Sequence, residues 1–110
     1  MNQESRQTTI YIGLNDSETG VQEYDSEKYL AVLKGLCRTY KIAFSVQVIN
    51  GGYIHEDGCY REENTLMLIL INVPEDIVRE LAKDLCAFFR QESVMVTSSP
   101  TEVIFIKETI

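Results

Sequence analysis

The sequence lacks the features that mark membrane-spanning, secreted and disulfide-bonded proteins. Its longest unbroken apolar run, 66–71, has six residues, whereas a membrane-spanning helix needs about 20. Residues 1–7 are polar and contain no apolar segment of the kind found in signal peptides. The three cysteines include no Cys-x-x-Cys pair, so a disulfide framework is not expected. We therefore expect a cytoplasmic protein that does not enter a membrane.

Positive charge is also scarce. The chain has 10 Lys and Arg residues against 17 Asp and Glu residues, a formal net charge of −7. Contacts to phosphate groups need clustered Lys and Arg, so the composition disfavours binding to nucleic acid or to an anionic membrane surface. The carboxylates concentrate in two patches, 16–25 and 56–63. Such patches would attract a basic protein partner, although solubility alone also explains them.

Common catalytic signatures are missing as well. The chain has no Gly-rich phosphate loop, no Gly-x-Ser-x-Gly and no His-Glu-x-x-His. Its one histidine, His55, lies near Asp57 and Cys59. These three residues are the candidate metal ligands, but their spacing matches no established zinc or calcium site. We expect no cofactor, and the sequence favours a binding role over an enzyme that would use His55 and nearby carboxylates.

The hydrophobic pattern predicts two amphipathic helices and several strands in one domain. We expect a flexible lead over residues 1–7 and a single domain over 8–110. The predicted strands are 8–14, 43–49, 65–71, 93–97 and 102–107. One helix follows a cap at Asp25 or Ser26 and has Gly35 in its interior, which suggests close packing on a sheet. The other follows Asn72, which with Glu75 resembles a capping box.

Turn residues define how the strands are connected. Gly51 and Gly52 are expected to break or bulge the second strand. Asp57-Gly58 predicts a hairpin turn, and the segment 98–100, Ser-Ser-Pro, predicts a turn between two closing strands. The order is therefore β-α-β-β-α-β with an extended β2–β3 hairpin and an extra C-terminal strand.

This order is typical of a ferredoxin-like α+β fold, in which both helices cover one face of an antiparallel sheet. The third strand is apolar at every position from Leu66 to Ile71, so both of its faces should be covered. The sheet face without helices then needs a partner. We expect that partner to be a second copy of the chain, in a dimer or trimer.

Two motifs resemble those of a family of small, functionally uncharacterised bacterial proteins. The segment 58–62, Gly-Cys-Tyr-Arg-Glu, matches a G-x-x-R-E pattern, and 91–94, Gln-Glu-Ser-Val, matches a Q-E-S-V pattern. The chain departs from that family at Thr65, where Ser is usual, and at 52–53, where Gly-Gln-Trp is usual. The architecture is also similar to that of the CutA and PII-like trimers. Both resemblances imply a ferredoxin-like fold.

The two motifs also supply the candidate site. We expect Arg61 to pair with Glu92, or to bind a small anion in a cleft where Gln91 and Ser93 donate hydrogen bonds. The full set of ligand or interface candidates is Arg61, Glu62, Gln91, Glu92, Ser93, Tyr11, Tyr53 and Tyr60. The favoured function is a non-enzymatic binding or regulatory module that self-assembles through its sheet. The alternative is an acidic inhibitor, of a kind encoded by mobile elements, that masks a basic nucleic-acid-binding surface of another protein.

Overall fold

A computed structural model describes residues 4–109 as four strands and two helices. In chain order these are β1 (Ser5–Gly13), α1 (Ser26–Tyr40), β2 (Ser45–Ile54), β3 (Tyr60–Ile71), α2 (Glu75–Phe88) and β4 (Met95–Thr101). The strands form one antiparallel sheet in the order β2-β3-β1-β4. This arrangement confirms the predicted ferredoxin-like α+β fold.

Side-chain alternation along the central strands builds the core. Leu66, Leu68 and Leu70 of β3 are fully buried, as are Ile10 and Ile12 of β1. These residues lie on the sheet face that the helices cover, because successive strand residues point to opposite faces. The helices contribute Tyr29, Leu33, Cys37, Val78, Leu81 and Leu85 to the same core. Burial of the Cys37 thiol raises its pKa to about 11, in keeping with the predicted role as a small apolar residue.

The first strand begins earlier than the sequence predicts. Ser5 pairs with Thr101 and Gln7 pairs with Ile71, so positions 5–7 of the predicted flexible lead belong to the sheet. Residues 1–3 lie outside the described part of the chain. The early start of β1 also explains why Asn72 does not cap α2. Its Oδ1 accepts a hydrogen bond from the Arg6 N–H at 2.8 Å. Pro74 occupies the cap position of α2 instead, without a side-chain hydrogen bond.

The hairpin and the closing strand are both more continuous than predicted. Gly51 and Gly52 pair in register with Glu63 and Glu62, so they neither break nor bulge β2. Strand β4 runs through the predicted turn at 98–100, and Pro100 is accommodated because β4 is an edge strand. The prediction of an extra C-terminal strand was wrong, because residues 102–109 have no regular secondary structure.

In the helices, the predicted cap is correct, and the predictions for Gly35 and Phe88 are wrong. Asp25 caps α1 as expected, and its Oδ1 accepts from the Lys28 N–H at 3.0 Å. Gly35 does not mark close packing, because a methyl group added there would meet open space. The sequence pattern places both Phe88 and Phe89 on the apolar face of α2; Phe89 is buried as predicted, but the Phe88 side chain is exposed.

The sheet face without helices is only partly covered within the chain. Tyr11, Met67 and Ile69 are half-buried on it, whereas Ile71 and Met95 are exposed. We call these five residues the open sheet face. The expectation that both faces of β3 would be covered is met on the helix side alone. Neither of the helices described between residues 4 and 109 is long and apolar enough to cross a membrane.

Tyr40 joins the two helices and gives a testable pH dependence. Its hydroxyl donates to Asp84 Oδ2 at 2.5 Å, and this hydrogen bond, with burial and the nearby carboxylates, raises the pKa of Tyr40 to about 12. A raised pKa means that the neutral phenol is favoured in the folded state. The stabilisation is therefore complete below the usual tyrosine pKa of about 10 and is lost as the pH rises through about 12.

We expect Tyr40→Phe to lower the denaturation midpoint at pH 8 and to flatten its decline at alkaline pH. Urea denaturation at a series of pH values measures both effects. Tyr60→Phe is the matched control, because the Tyr60 side chain is exposed. An unchanged alkaline profile in Tyr40→Phe would show that the hydrogen bond does not stabilise the helix pair.

Candidate functional site

The main cleft lies where the β2–β3 hairpin extends beyond β1. Strand β1 ends at Gly13, opposite Thr65, while the hairpin continues to a turn at 55–59. The loop 15–21 and the segment 91–93 complete a cleft of about 680 Å³, a volume typical of small-molecule sites. Its lining residues are Asn15, Asp16, Ser17, Thr19, Gly20, Val21, Tyr53, Ile54, His55, Glu56, Arg61, Glu63, Gln91, Glu92 and Ser93.

One wall of the cleft is a loop organised around Asp16. The sequence predicts that 15–25 is a solvated loop, but Asp16 is only 5% exposed. Its Oδ1 accepts from the backbone N–H groups of Glu18 at 2.8 Å and Thr19 at 3.3 Å. These hydrogen bonds and the Arg90 guanidinium lower the pKa of Asp16, because they favour its charged form.

Contacts of Arg90 connect this loop to the end of α2. Its Nε lies 2.6 Å from Asp16 Oδ2, its Nη2 lies 2.6 Å from Glu18 Oε2, and its carbonyl accepts from the Ser17 N–H at 2.9 Å. Arg90 has a left-handed backbone, with φ of 53°. Such a conformation is unfavourable for a residue other than glycine, and the contacts to the loop offset that cost.

Glu63 forms part of the cleft floor. Its Oε2 accepts from the Asn15 N–H at 3.1 Å, and its carboxylate covers Gly13 so closely that a Cβ there would lie 2.5 Å from Oε1. Gly13 is therefore needed for this position of the carboxylate. Within the described part of the chain, Glu63 has no Lys, Arg or His in salt-bridge range. It is a half-buried, uncompensated negative charge.

Arg61 does not pair with Glu92 as predicted. Its Nη2 lies 2.8 Å from Asp57 Oδ2, in an ion pair contained within the hairpin. The ion pair keeps the Arg61 guanidinium near the hairpin turn. Anion binding by Arg61 stays a prediction, and the pairing with Asp57 argues against it.

Gln91 links the cleft wall to the loop. Its Nε2 donates to the Asn15 carbonyl at 2.6 Å and to the Phe89 carbonyl at 3.3 Å. Its N–H groups are thus used inside the protein, contrary to the expected donor role. Over residues 4–109 its Oε1 receives no protein hydrogen bond, so it can accept one from a ligand. Glu92 and Ser93 line the same wall and are exposed.

The remaining candidates are divided between the cleft and other surfaces. Tyr53 lines the cleft with Arg61. Tyr11 lies on the open sheet face, and the ring of Tyr60 packs over Gly52 outside the cleft. Glu62 is exposed and does not line the cleft either. The structure thus brings together five of the eight candidates: Tyr53, Arg61, Gln91, Glu92 and Ser93.

The three candidate metal ligands do not form a metal site. His55 Nδ1 lies 3.5 Å from Asp57 Oδ1, but that oxygen also accepts from the Cys59 backbone N–H at 2.8 Å. Its partner oxygen is paired with Arg61, and these contacts lower the pKa of Asp57. Across residues 4–109, no group of three His, Cys, Asp or Glu side chains is placed to hold a metal ion.

Charge pairing leaves the cleft negative. Arg90 compensates Asp16, and Asp57 compensates Arg61. The lining carboxylates Glu56, Glu63 and Glu92 have no such pairing among the described residues. The site therefore favours a cationic or neutral ligand over an anionic one.

Sequence reasoning missed Glu63, Asp16 and Arg90. The segment 16–20, Asp-Ser-Glu-Thr-Gly, is typical of a turn in which an Asp side chain accepts from nearby backbone N–H groups, so Asp16 could have been recognised. The contacts of Glu63 and Arg90 depend on residues 48 and 74 positions away. Their partners could not be read from local sequence.

Comparison with solved structures finds the same fold in several proteins of low sequence identity. A phage SAM lyase in complex with S-methyl-5'-thioadenosine matches with a TM-score of 0.69 and 23% identity, over 91% of this chain and 84% of the other. The GlnK–ATP complex of B. subtilis matches with a TM-score of 0.58 and 13% identity, over 92% and 84%. CutA1 from Oryza sativa gives 0.60 and 14%, over 93% and 84%.

These similarities concern the fold. No protein-family model and no curated protein matches the chain. The architectural resemblance to CutA and PII-like proteins is supported by the structural matches. Membership of the uncharacterised bacterial family stays a prediction.

We expect Arg90→Ala to loosen the loop 16–20 without unfolding the domain. The substitution removes both ion pairs and leaves Asp16 buried without its cationic partner. Hydrogen–deuterium exchange should then increase at residues 16–20 and stay unchanged in β1 and β3. Arg79→Ala is the matched control, because Arg79 forms an exposed ion pair within α2. Equal exchange in the two variants would mean that Arg90 does not hold the loop.

Proposed function

We propose that the cleft binds S-adenosylmethionine and that the protein, as a self-associating module, cleaves it to S-methyl-5'-thioadenosine. The observation that carries this proposal is Glu63, a half-buried carboxylate without a cationic partner on the floor of a small-molecule-sized cleft. A half-buried charge of this kind is stabilised by a counter-charge. The structural similarity to a phage SAM lyase supplies the ligand class to test.

The charge of the cleft discriminates between two classes of adenine-containing ligand, those with phosphate groups and those without. The GlnK complex contains ATP, whose phosphates would meet the unpaired carboxylates Glu56, Glu63 and Glu92. S-adenosylmethionine instead carries a sulfonium and an ammonium group. Coulombic attraction therefore favours S-adenosylmethionine over ATP at this site.

Two further lining residues suit the nucleoside part of the ligand. The Oε1 atom of Gln91 can accept a hydrogen bond from an adenine amino group or a ribose hydroxyl. The Tyr53 ring, 43% exposed, offers an aromatic face for stacking. Both residues line the same cleft as Glu63.

Cleavage of this ligand needs no general acid or base. The bond from sulfur to the aminocarboxypropyl chain breaks, and its electron pair stays on sulfur, which becomes the neutral thioether of S-methyl-5'-thioadenosine. An oxygen of the ligand's own carboxylate bonds to the released carbon and closes homoserine lactone. Atoms and charge balance without water or a cofactor. Binding the reactive conformer is then the main task of the protein.

Glu63 fits the ammonium group better than the sulfonium group. The sulfonium charge disappears during the reaction, so a carboxylate paired with it would stabilise the reactant more than the transition state. The ammonium charge is unchanged, and an ion pair with Glu63 leaves the ligand's carboxylate free to react. We therefore assign Glu63 to the ammonium group.

Self-association through the open sheet face would complete this site. Register places Glu63, Arg61 and Tyr53 on the same side of the sheet as Ile49 and Met67. The cleft thus faces the surface on which we expect a second copy to pack. A neighbouring subunit there would shield the ligand from water, which strengthens its electrostatic contacts.

We expect the purified protein to release S-methyl-5'-thioadenosine from S-adenosylmethionine, as detected by mass spectrometry. Glu63→Gln removes the charge but keeps an oxygen that can accept from the Asn15 N–H. It should weaken binding of S-adenosylmethionine and of S-adenosylhomocysteine roughly tenfold or more, a factor equivalent to about 1.4 kcal/mol. Binding of S-methyl-5'-thioadenosine, which lacks the ammonium group, should hardly change.

Calorimetric titration of all three ligands tests this pattern. Glu62→Gln is the matched control, since Glu62 is exposed and outside the cleft. Binding without cleavage would support the non-enzymatic module that the sequence favours. No binding of any of the three ligands, with the fold intact, would refute the proposal.

Tests of self-association use the open sheet face. We expect light scattering after size exclusion to give a multiple of the 12.6 kDa chain mass at both low and high salt, because the contact is apolar. Met67→Lys should lower the mass of the assembly, since a charge buried in such an interface is costly. Lys34→Glu, on the exposed side of α1, is the control. A wild-type monomer at both salt concentrations would contradict self-association.

A second candidate function is the binding of a basic protein partner. The exposed carboxylates Glu56 and Glu92 lie at the same cleft, and they would attract a basic surface. The pairing of Asp16 and Glu18 with Arg90 neutralises much of the other acidic patch, which weakens this alternative. It requires an affinity that falls as salt rises; a salt-independent affinity would exclude it.

A further inference from the structure

Three apolar residues that follow β4 are exposed in the part of the chain that the structure describes. After β4, residues 102–109 leave the sheet without regular structure. Ile104, Phe105 and Ile106 are 69%, 89% and 86% exposed. Three consecutive large apolar residues at this exposure form a patch that usually marks a binding surface. We call residues 102–108 the C-terminal arm.

A groove of about 600 Å³ runs between α2 and β4 on the helix side of the sheet. Its apolar residues are Val73, Val78, Ala82 and Val96. Val96 is 43% exposed, because α2 packs over the central strands and leaves this side of β4 open. Strand β4 is also an edge of the sheet, so its outer backbone groups are free to pair with another strand.

The charges of groove and arm are complementary. Arg6, Arg79 and Lys83 line the groove together with one carboxylate, Glu75. Arg79 pairs with Glu75, and Lys83 pairs with Glu80, in exposed ion pairs of α2. Among the described residues, Arg6 has no carboxylate in salt-bridge range. The arm has the opposite arrangement, with Glu102 and Glu108 on either side of its apolar residues and only one Lys. An acidic segment with an apolar centre is thus the kind of partner that the groove suits.

The arm does not occupy the groove of its own chain. Thr101 pairs with Ser5, and Arg6 pairs with Pro100, so the arm leaves the sheet at the end of the groove where Arg6 lies. To enter that groove it would have to reverse direction at once, whereas its apolar side chains lie in solvent. Exchange between copies avoids this reversal, as in domain-swapped assemblies.

We propose that the C-terminal arm of one copy docks in the α2–β4 groove of a second copy. The arm adds alongside β4 as an extra strand and places alternate apolar side chains over Val96 and Ala82. Glu102 and Glu108 then lie near the cationic side chains of the groove. This inference is independent of the ligand proposed for the main cleft.

Site-specific crosslinking between two differently tagged chains tests the exchange. One chain carries Ile104→Cys and the other carries Ala82→Cys, both with Cys59→Ser and Cys86→Ser. Cys37 is retained because it is buried. We expect a disulfide between the two chains, at least tenfold more than with Lys34→Cys in place of Ala82→Cys. Crosslinking at the control level would overturn the proposal.

Reversing the charges of the groove, and then those of the arm, tests whether the arm contacts this groove or another surface. Arg79→Glu with Lys83→Glu should reduce the crosslink several-fold, and Glu102→Lys with Glu108→Lys on the arm-bearing chain should restore it. Gln47→Cys, on the other free edge of the sheet, is the competing position. Preferential crosslinking of Ile104→Cys to Gln47→Cys, or no effect of charge reversal, would show that the arm does not use this groove.

Discussion

The difference in length between β1 and the β2–β3 hairpin determines where the main cleft of this protein lies. Strand β1 ends at Gly13, and from there to the turn at 55–59 the hairpin has no third strand beside it. Backbone and side chains of that extension would otherwise be left in water. The loop 15–21 and the segment 91–93 pack against its base and enclose the cleft. The position of the cleft therefore follows from the unequal lengths of the strands.

Charge compensation then gives the cleft its character. Two carboxylates at its edge have a specific cationic partner: Asp16 pairs with Arg90, and Asp57 pairs with Arg61. Glu63 is the exception: a backbone N–H orients it, but no cation of the described residues neutralises it. An open, negative cleft with one oriented carboxylate is better suited to a cationic nucleoside than to a nucleotide. Among the similar structures, the B. subtilis GlnK complex contains ATP and the phage SAM lyase complex contains S-methyl-5'-thioadenosine.

Apolar surface that the chain cannot bury by itself points toward assembly. The open sheet face, on one side, and the C-terminal arm, beyond β4, both expose large side chains. Folding of one chain leaves them in water at a cost that association would remove. The open sheet face is on the same side of the sheet as Glu63 and Tyr53 of the main cleft, so we expect assembly through that face and ligand binding to be linked.

The sequence by itself determined the fold class, since hydrophobic periodicity and the Asp57-Gly58 turn act over a few residues. It also placed Arg61, Gln91 and Ser93 at a common cleft, because they end or begin elements that meet in this fold. Long-range pairing decided the rest. Pairing with neighbouring strands keeps β2 continuous across Gly51 and Gly52, and β4 continuous across Pro100. Asn72 accepts a hydrogen bond from β1 and does not cap α2. The partners of Arg61, Glu63 and Arg90 depended on which side chains the fold brought within hydrogen-bond distance, which local pattern does not encode.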